Sequence, residues 1–164
     1  MKKLIYVEEN FISPSECQEL IDISKSNKEE IPYGDKSRGG NTYLTTLDGI
    51  YFDSKENNVV DKVTNLCKTF DDRVVIDYAS VVRWPEGTFM KPHIDPSRPG
   101  QEPDLMAAVL YLNDDFTGGC TGFEEYEVKP ETGKLLVFSN SIYKHYVTQI
   151  EGNERFALSI WYNQ

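Results

Sequence analysis

The 164 residues include two histidines. His93 stands two residues before Asp95, and His145 lies well downstream. Two imidazoles and one carboxylate make a ligand set that holds a non-haem Fe(II) by one face and leaves the opposite positions open to substrate and oxygen. Arg155 follows His145, at the head of the apolar run Arg155-Phe156-Ala157-Leu158-Ser159-Ile160-Trp161. A guanidinium inside an apolar barrel is costly without an anion, and arginine grips a carboxylate through two parallel hydrogen bonds. The pattern suits a small linear diacid that chelates the metal at one end and meets Arg155 at the other. Taken singly, His-x-Asp is more often a turn or surface pair, and a lone arginine more often a salt-bridge partner. Their joint occurrence carries the weight.

Strand geometry must position these groups. Residues two apart on a strand project from one face, so His93 and Asp95 can both point inward while Ile94 faces away. Pro92 and Pro96 bracket the pair and should end the ladder there, placing the ligands at an accessible strand mouth. The last two strands are expected to form a hairpin around Glu151 to Glu154, which would set His145 about five residues, or about 16 Å, along the ladder from Arg155. Arg155, Ala157, Ser159 and Trp161 then share one face, where Ser159 could add a hydroxyl contact to the same carboxylate. Phe156, Leu158 and Ile160 would pack on the other.

Further upstream, Leu4 to Val7 is a short strand candidate. Ser13-Pro14-Ser15-Glu16 combines a capping serine, a proline at the first helical position and a glutamate at the reciprocal capping-box position. Cys17, Leu20, Ile21 and Ser24 continue at helical spacing, predicting a helix to about Asn27. Asp53 or Ser54 is the expected cap of a second helix, striped by Val59, Val63, Leu66, Cys67 and Phe70. Both stripes suit core packing better than a cofactor surface. Ile31 to Gly49 has no sustained period and predicts a long loop or loose hairpin, either a binding loop or a plain surface connection. From Arg73 onward, short β-type runs at 74–84, 88–94, 105–113, 119–128, 134–138, 145–150 and 155–162 are separated by turn residues and indicate a sandwich or barrel. The reading is one domain over residues 1–164, with helical support over about 1–72 and a β core over about 73–164.

Composition narrows the partners. A net charge of −10 repels a phosphate backbone, so nucleic acid is not expected. Cys17, Cys67 and Cys120 are odd in number and widely spaced, indicating neither a disulfide framework nor a zinc site. The apolar run at Leu4 to Val7 is too short for a signal-peptide core, and no stretch approaches a membrane span. A soluble, cytoplasmic protein is expected, with its oligomeric state open.

Several blocks, in order, carry a family resemblance: Val81-Val82-Arg83-Trp84-Pro85-Glu86-Gly87, Lys91-Pro92-His93-Ile94-Asp95, Tyr111-Leu112-Asn113-Asp114-Asp115-Phe116-Thr117-Gly118-Gly119, Pro130-Glu131-Thr132-Gly133-Lys134-Leu135-Leu136-Val137-Phe138, His145-Tyr146-Val147 and Gly152-Asn153-Glu154-Arg155. Together they resemble the prolyl 4-hydroxylase-like branch of the Fe(II)- and 2-oxoglutarate-dependent oxygenases. The resemblance implies a mainly β fold with flanking α-helices, a double-stranded β-helix or jelly roll. It implies His93, Asp95 and His145 as iron ligands and Arg155 as the partner of the 2-oxoglutarate C5 carboxylate, with Tyr111, Ser159 and Trp161 lining that pocket. Trp84 stands where many relatives have a cosubstrate-binding tyrosine, and its indole N–H could replace that donor; Met90, also at a usual tyrosine position, could not. The cofactor set implied is Fe(II), 2-oxoglutarate and O2, with room for ascorbate. The chemistry implied is hydroxylation of a C–H bond with succinate and CO2 as coproducts. A peptide or protein substrate containing proline is the first expectation, with Tyr33, Arg38 and Tyr43 on a loop closing over it. A free amino acid or other small molecule, and a non-catalytic metal-binding jelly-roll module, are the alternatives.

Overall fold

The capping box at Ser13 forms as its residues require. The Ser13 hydroxyl accepts from the Glu16 N–H at 3.2 Å and the Glu16 carboxylate accepts from the Ser13 N–H at 3.3 Å. Helix α1 (Pro14–Ser26) begins there, after strand β1 (Ile5–Glu8). In this computed structural model, residues 2–47, 58–95 and 104–164 are described. The chain continues through β2 (Ile31–Asp35), β3 (Gly40–Thr46), α2 (Val59–Phe70), β4 (Val75–Trp84), β5 (Met90–His93) and β6 (Met106–Tyr111). It ends with β7 (Thr121–Gly122), β8 (Glu127–Val128), β9 (Leu135–Phe138), β10 (His145–Val147) and β11 (Arg155–Asn163).

All strand pairs among the described residues are antiparallel. The larger sheet has the order β1-β9-β6-β11-β4-β3-β2, and the smaller β5-β10-β7-β8. Cys17, Leu20 and Ile21 of α1 and Val60, Val63 and Cys67 of α2 pack with Phe156, Leu158 and Ile160 of β11 in one buried cluster. The two faces assigned to β11 from its alternation are the two faces observed. Each such aliphatic or aromatic side chain removed from water contributes about 1.5–3 kcal/mol, so the helices fix the large sheet from behind. Its other face turns toward the small sheet, and the site lies there. Among the described residues no helix is long and apolar enough to cross a membrane.

Several expectations are corrected. Residues 145–150 and 155–162 do not form a hairpin. Strand β10 pairs with β5 and β7, whereas β11 pairs with β4 and β6. Both edges of β11 are already filled, with Arg155 opposite Trp84 and Ala157 opposite Tyr111. The turn at Glu151-Gly152-Asn153 therefore carries the chain between sheets, and the Ile150 N–H and C=O bond to Thr88 and Gly87 at 3.0 and 2.7 Å.

Residues 31–46 form a regular hairpin of five residue pairs, and β3 adds to the edge of β4. Its tip is a 3-10 turn at Lys36–Arg38 capped by the Asp35 side chain, with Gly39 at φ 72°. No period marked β2 because all five of its residues are exposed. The second helix is capped by Asn58, whose side chain accepts from the Asp61 N–H at 3.0 Å. Asp53 and Ser54 lie outside the described residues, as does Pro96. Pro92 does not end the ladder but sits inside β5, where an edge strand tolerates a missing N–H. The run at 119–128 divides into β7 and β8.

Candidate metal centre and anion pocket

The end of β5 and the start of β10 bring the two histidines together, since His145 is the register partner of His93. Asp95 lies just beyond the last residue of β5 rather than on the strand. One ligand atom from each of His93, Asp95 and His145 can be chosen so that all lie within 4.8 Å of one another. His93 Nε2 is 2.9 Å from Asp95 Oδ1, and His145 Nε2 is 3.4 Å from Asp95 Oδ2. His93 Nδ1 lies 2.7 Å from the Lys91 carbonyl. A proton held there and none on Nε2 is the tautomer a metal needs, and a bound metal would take the place of the Nε2 proton that meets Asp95.

Asp95 is held on several sides. The Trp161 indole N–H donates to its Oδ2 at 2.9 Å. The Asn140 side chain accepts from the Asp95 N–H at 3.2 Å and donates to its C=O at 3.2 Å, with a further bond to the Asp104 carbonyl at 3.0 Å. Burial pushes the Asp95 carboxyl up, but hydrogen bonds from His145, His93 and Trp161 outweigh it and hold the group well below the usual carboxylate range. At His93 burial works against charge, contact with Asp95 overcomes it and raises the imidazole, and Arg38 is close enough to oppose that rise. An ionised carboxylate beside two imidazoles is a donor set that fits Fe(II).

The cluster opens into a cavity of about 430 Å³ between the sheets, and Arg155 stands in the opposite wall. The expected separation along one ladder is thus replaced by an approach across the sandwich. Arg155 is 2% exposed, and its Nε–H donates to the Gly119 carbonyl at 3.0 Å. Its guanidinium lies 5.0 Å from the Trp84 ring centroid and 5.3 Å from that of Tyr111. Gly119, at φ 66°, is required here, because a Cβ would stand 2.9 Å from Arg155 Cδ. Burial pushes the Arg155 guanidinium below its ordinary pKa. Among the described residues no carboxylate pairs with it. The Trp84 Nε1–H is also buried without a partner, in the same wall.

Ser159, Trp161 and Tyr33 line the cavity as expected, together with Met90. Tyr111 does not. It lies beneath Arg155, fully buried, and its hydroxyl donates to Thr121 Oγ1 at 2.6 Å, while Thr121 itself lines the cavity. Tyr43 is likewise displaced from the expected substrate loop: strand alternation turns Thr42 and Leu44 to the cavity and Tyr43 away, under the Arg83 guanidinium at 4.3 Å. Arg83 is anchored in turn by Glu30 and Glu154. Arg38 lies over the Tyr33 ring at 5.0 Å. Asn140, Thr121 and Gly119 are the site residues that sequence reasoning missed as such. Asn140 sits between two serines with no periodic or motif signal, while the glycine pair at 118–119 was visible only as part of a resemblance block, with no role assigned to Gly119.

An antiparallel β-sandwich with this two-histidine, one-carboxylate cluster facing a buried cation is a framework for metal-dependent chemistry on an anionic ligand. The chain belongs to the 2OG-Fe(II) oxygenase superfamily, whose family model matches residues 79–163. Fe(II), 2-oxoglutarate and O2 are the reagents of that family. The fold is similar to that of a Pseudomonas putida prolyl-4-hydroxylase, with 19% identity, TM-score 0.75 and coverage of 98% of this chain and 92% of the other. A viral collagen prolyl hydroxylase from Paramecium Bursaria Chlorella virus-1, in its 2OG complex, gives 18% identity, TM-score 0.71 and coverage of 96% and 94%. A Trichoplax adhaerens prolyl hydroxylase with a hypoxia inducible factor oxygen degradation domain peptide fragment gives 18%, 0.70, and coverage of 97% and 83%. No curated protein matches by sequence. The mainly β, jelly-roll expectation is borne out.

Proposed function

We propose that this chain is an Fe(II)- and 2-oxoglutarate-dependent hydroxylase acting on prolyl residues of a peptide or protein. Residues 1–164 form one oxygenase unit in this reading, with α1 and α2 buttressing the β core. His93, Asp95 and His145 hold Fe(II). Arg155 takes the distal carboxylate of 2-oxoglutarate, Ser159 and Thr121 offer hydroxyls, and the Trp84 N–H supplies a donor that has no partner among the described residues. Bound together, iron and 2-oxoglutarate supply the oxidising equivalents that convert a C–H bond to C–OH while 2-oxoglutarate becomes succinate and CO2. The protein's part is to orient the acid, exclude water around Arg155 and hold Asp95 ionised.

The single observation that carries this reading is Arg155. A structural guanidinium buried to 2% exposure would be expected to have a carboxylate partner, and none of the described residues supplies one. A diacid anchored at the metal would supply it. The prolyl substrate is supported by the fold shared with three prolyl hydroxylases, one of them solved with a peptide. The test is anaerobic binding of 2-oxoglutarate to the Fe(II) protein, followed by succinate release when O2 and a proline-rich peptide are added with ascorbate present. Absence of 2-oxoglutarate binding would overturn the oxygenase reading. Binding without turnover of any peptide would overturn the peptide part alone.

A further inference from the structure

Arg155 is not the sole cation near the cavity without an acid partner among the described residues. Arg38 sits at the tip of the β2–β3 hairpin, and its guanidinium lies 5.0 Å over the ring of Tyr33, a cavity-lining residue. Its Nη1 is buried without a hydrogen-bond partner, and no carboxylate among the described residues pairs with it. The chain has 27 acidic residues, so an arginine with no acid partner is not a result of scarcity. Asp35, the nearest acid in sequence, is occupied by the N–H and hydroxyl of Ser37 at the start of the turn, and the Arg38 charge acts on it without forming an ion pair.

The tip is also fixed in place. The Arg38 carbonyl accepts from the Phe89 N–H at 3.0 Å, one residue before β5, the strand that carries His93. Gly39 packs so closely on Gly87 that a Cβ would stand 2.2 Å from the Gly87 carbonyl oxygen. The backbone of the tip is thereby fixed beside the start of β5, and the Arg38 charge is close enough to act on His93. A guanidinium stacked on an aromatic ring keeps its in-plane N–H groups available for a planar anion.

We propose that Arg38, backed by Tyr33, is a second anion site of the cavity and takes a carboxylate of the prime substrate, close to the C–H bond that reacts. This rests on the proposed function for the identity of the cavity, and it narrows the substrate class. The carboxylate has two sources: the α-carboxylate of a free or C-terminal residue, or an acidic side chain next to the target in a peptide. Elsewhere the surface of a protein with net charge −10 disfavours an anion, so the preference is local to this site.

The test uses the full chain loaded with Mn(II) under argon, with and without 2-oxoglutarate, and reads affinity by calorimetry. The probes are two matched pairs: L-proline against L-prolinamide, and an amide-capped peptide with glutamate beside proline against the same peptide with glutamine. The acid member of at least one pair should bind about tenfold or more tightly than its neutral twin, and the pair that discriminates identifies the source. Arg38→Gln should abolish the discrimination while leaving 2-oxoglutarate affinity unchanged, and Arg38→Lys should retain part of it. No discrimination in either pair, or discrimination that survives Arg38→Gln, overturns the inference. Failure of 2-oxoglutarate to bind would count against the proposed function, and the runs without it would still judge Arg38.

Discussion

Replacing Arg155 with methionine should make the ligand-free protein more stable and at the same time deaf to 2-oxoglutarate. Taking an ion out of water costs several kcal/mol even after relaxation. Against that penalty stand one charge-assisted hydrogen bond to Gly119, of about 1.5–3 kcal/mol, and two ring contacts with Trp84 and Tyr111, of about 1–2 kcal/mol each. These leave the buried charge undercompensated by a small margin. Methionine has a similar reach, fills irregular space and carries no charge. Arg155→Met should therefore gain about 1–2 kcal/mol, or about 2–8 °C in Tm at this chain length. Wild type should recover about 2.7 kcal/mol when 2-oxoglutarate is present at about 100 times its Kd, and the variant nothing. Thermal melts with Mn(II), with and without 2-oxoglutarate, measure both effects. The reasoning is refuted if the variant melts below wild type without ligand, or if 2-oxoglutarate shifts both proteins equally.

Two further outcomes follow from contacts described above. Trp161→Phe keeps the ring near Tyr78, 5.6 Å away, but removes the N–H that Asp95 accepts. Loss of such a supporting bond should weaken metal affinity about tenfold or more, read by Co(II) titration, and an unchanged affinity would show that the bond does not orient the carboxylate. Burial raises the Cys17 thiol to about 11 and the Cys67 thiol to about 12. Because both folded values lie above the ordinary one, neither forms thiolate as pH rises to 8, and iodoacetamide should label only the half-exposed Cys120 until denaturant is added. Mass spectrometry that found two or three labels on the native protein would contradict this.

Much of the site was legible because its parts are chemically rare in this chain. With two histidines available, the triad had little freedom. The alternation along 155–161 correctly separated Arg155, Ser159 and Trp161 from Phe156, Leu158 and Ile160, because one face meets helices and the other the cavity. The capping box at Ser13 is a local signal, and it formed as a local structure. What failed was non-local. A turn such as Glu151-Gly152-Asn153 says that the chain reverses, not which neighbour the next strand finds, and the competition of β4 and β6 for β11 is invisible along the chain. Tyr43 was misplaced because a strand hidden in an aperiodic stretch sends alternate residues to opposite faces. Asn140 was missed because its role is to bond backbone groups far away in sequence, which no residue pattern announces.

The double tie made by Asn140 has a consequence for how such a protein can diversify. One amide grips the main chain at Asp95 and at Asp104, positions nine residues apart in sequence. With both main-chain positions held by one side chain, a change of sequence between them need not pass strain to Asp95, the proposed metal ligand. Novel recognition can thus be grafted beside the proposed metal site while that seat stays put, much as a tool holder accepts different bits.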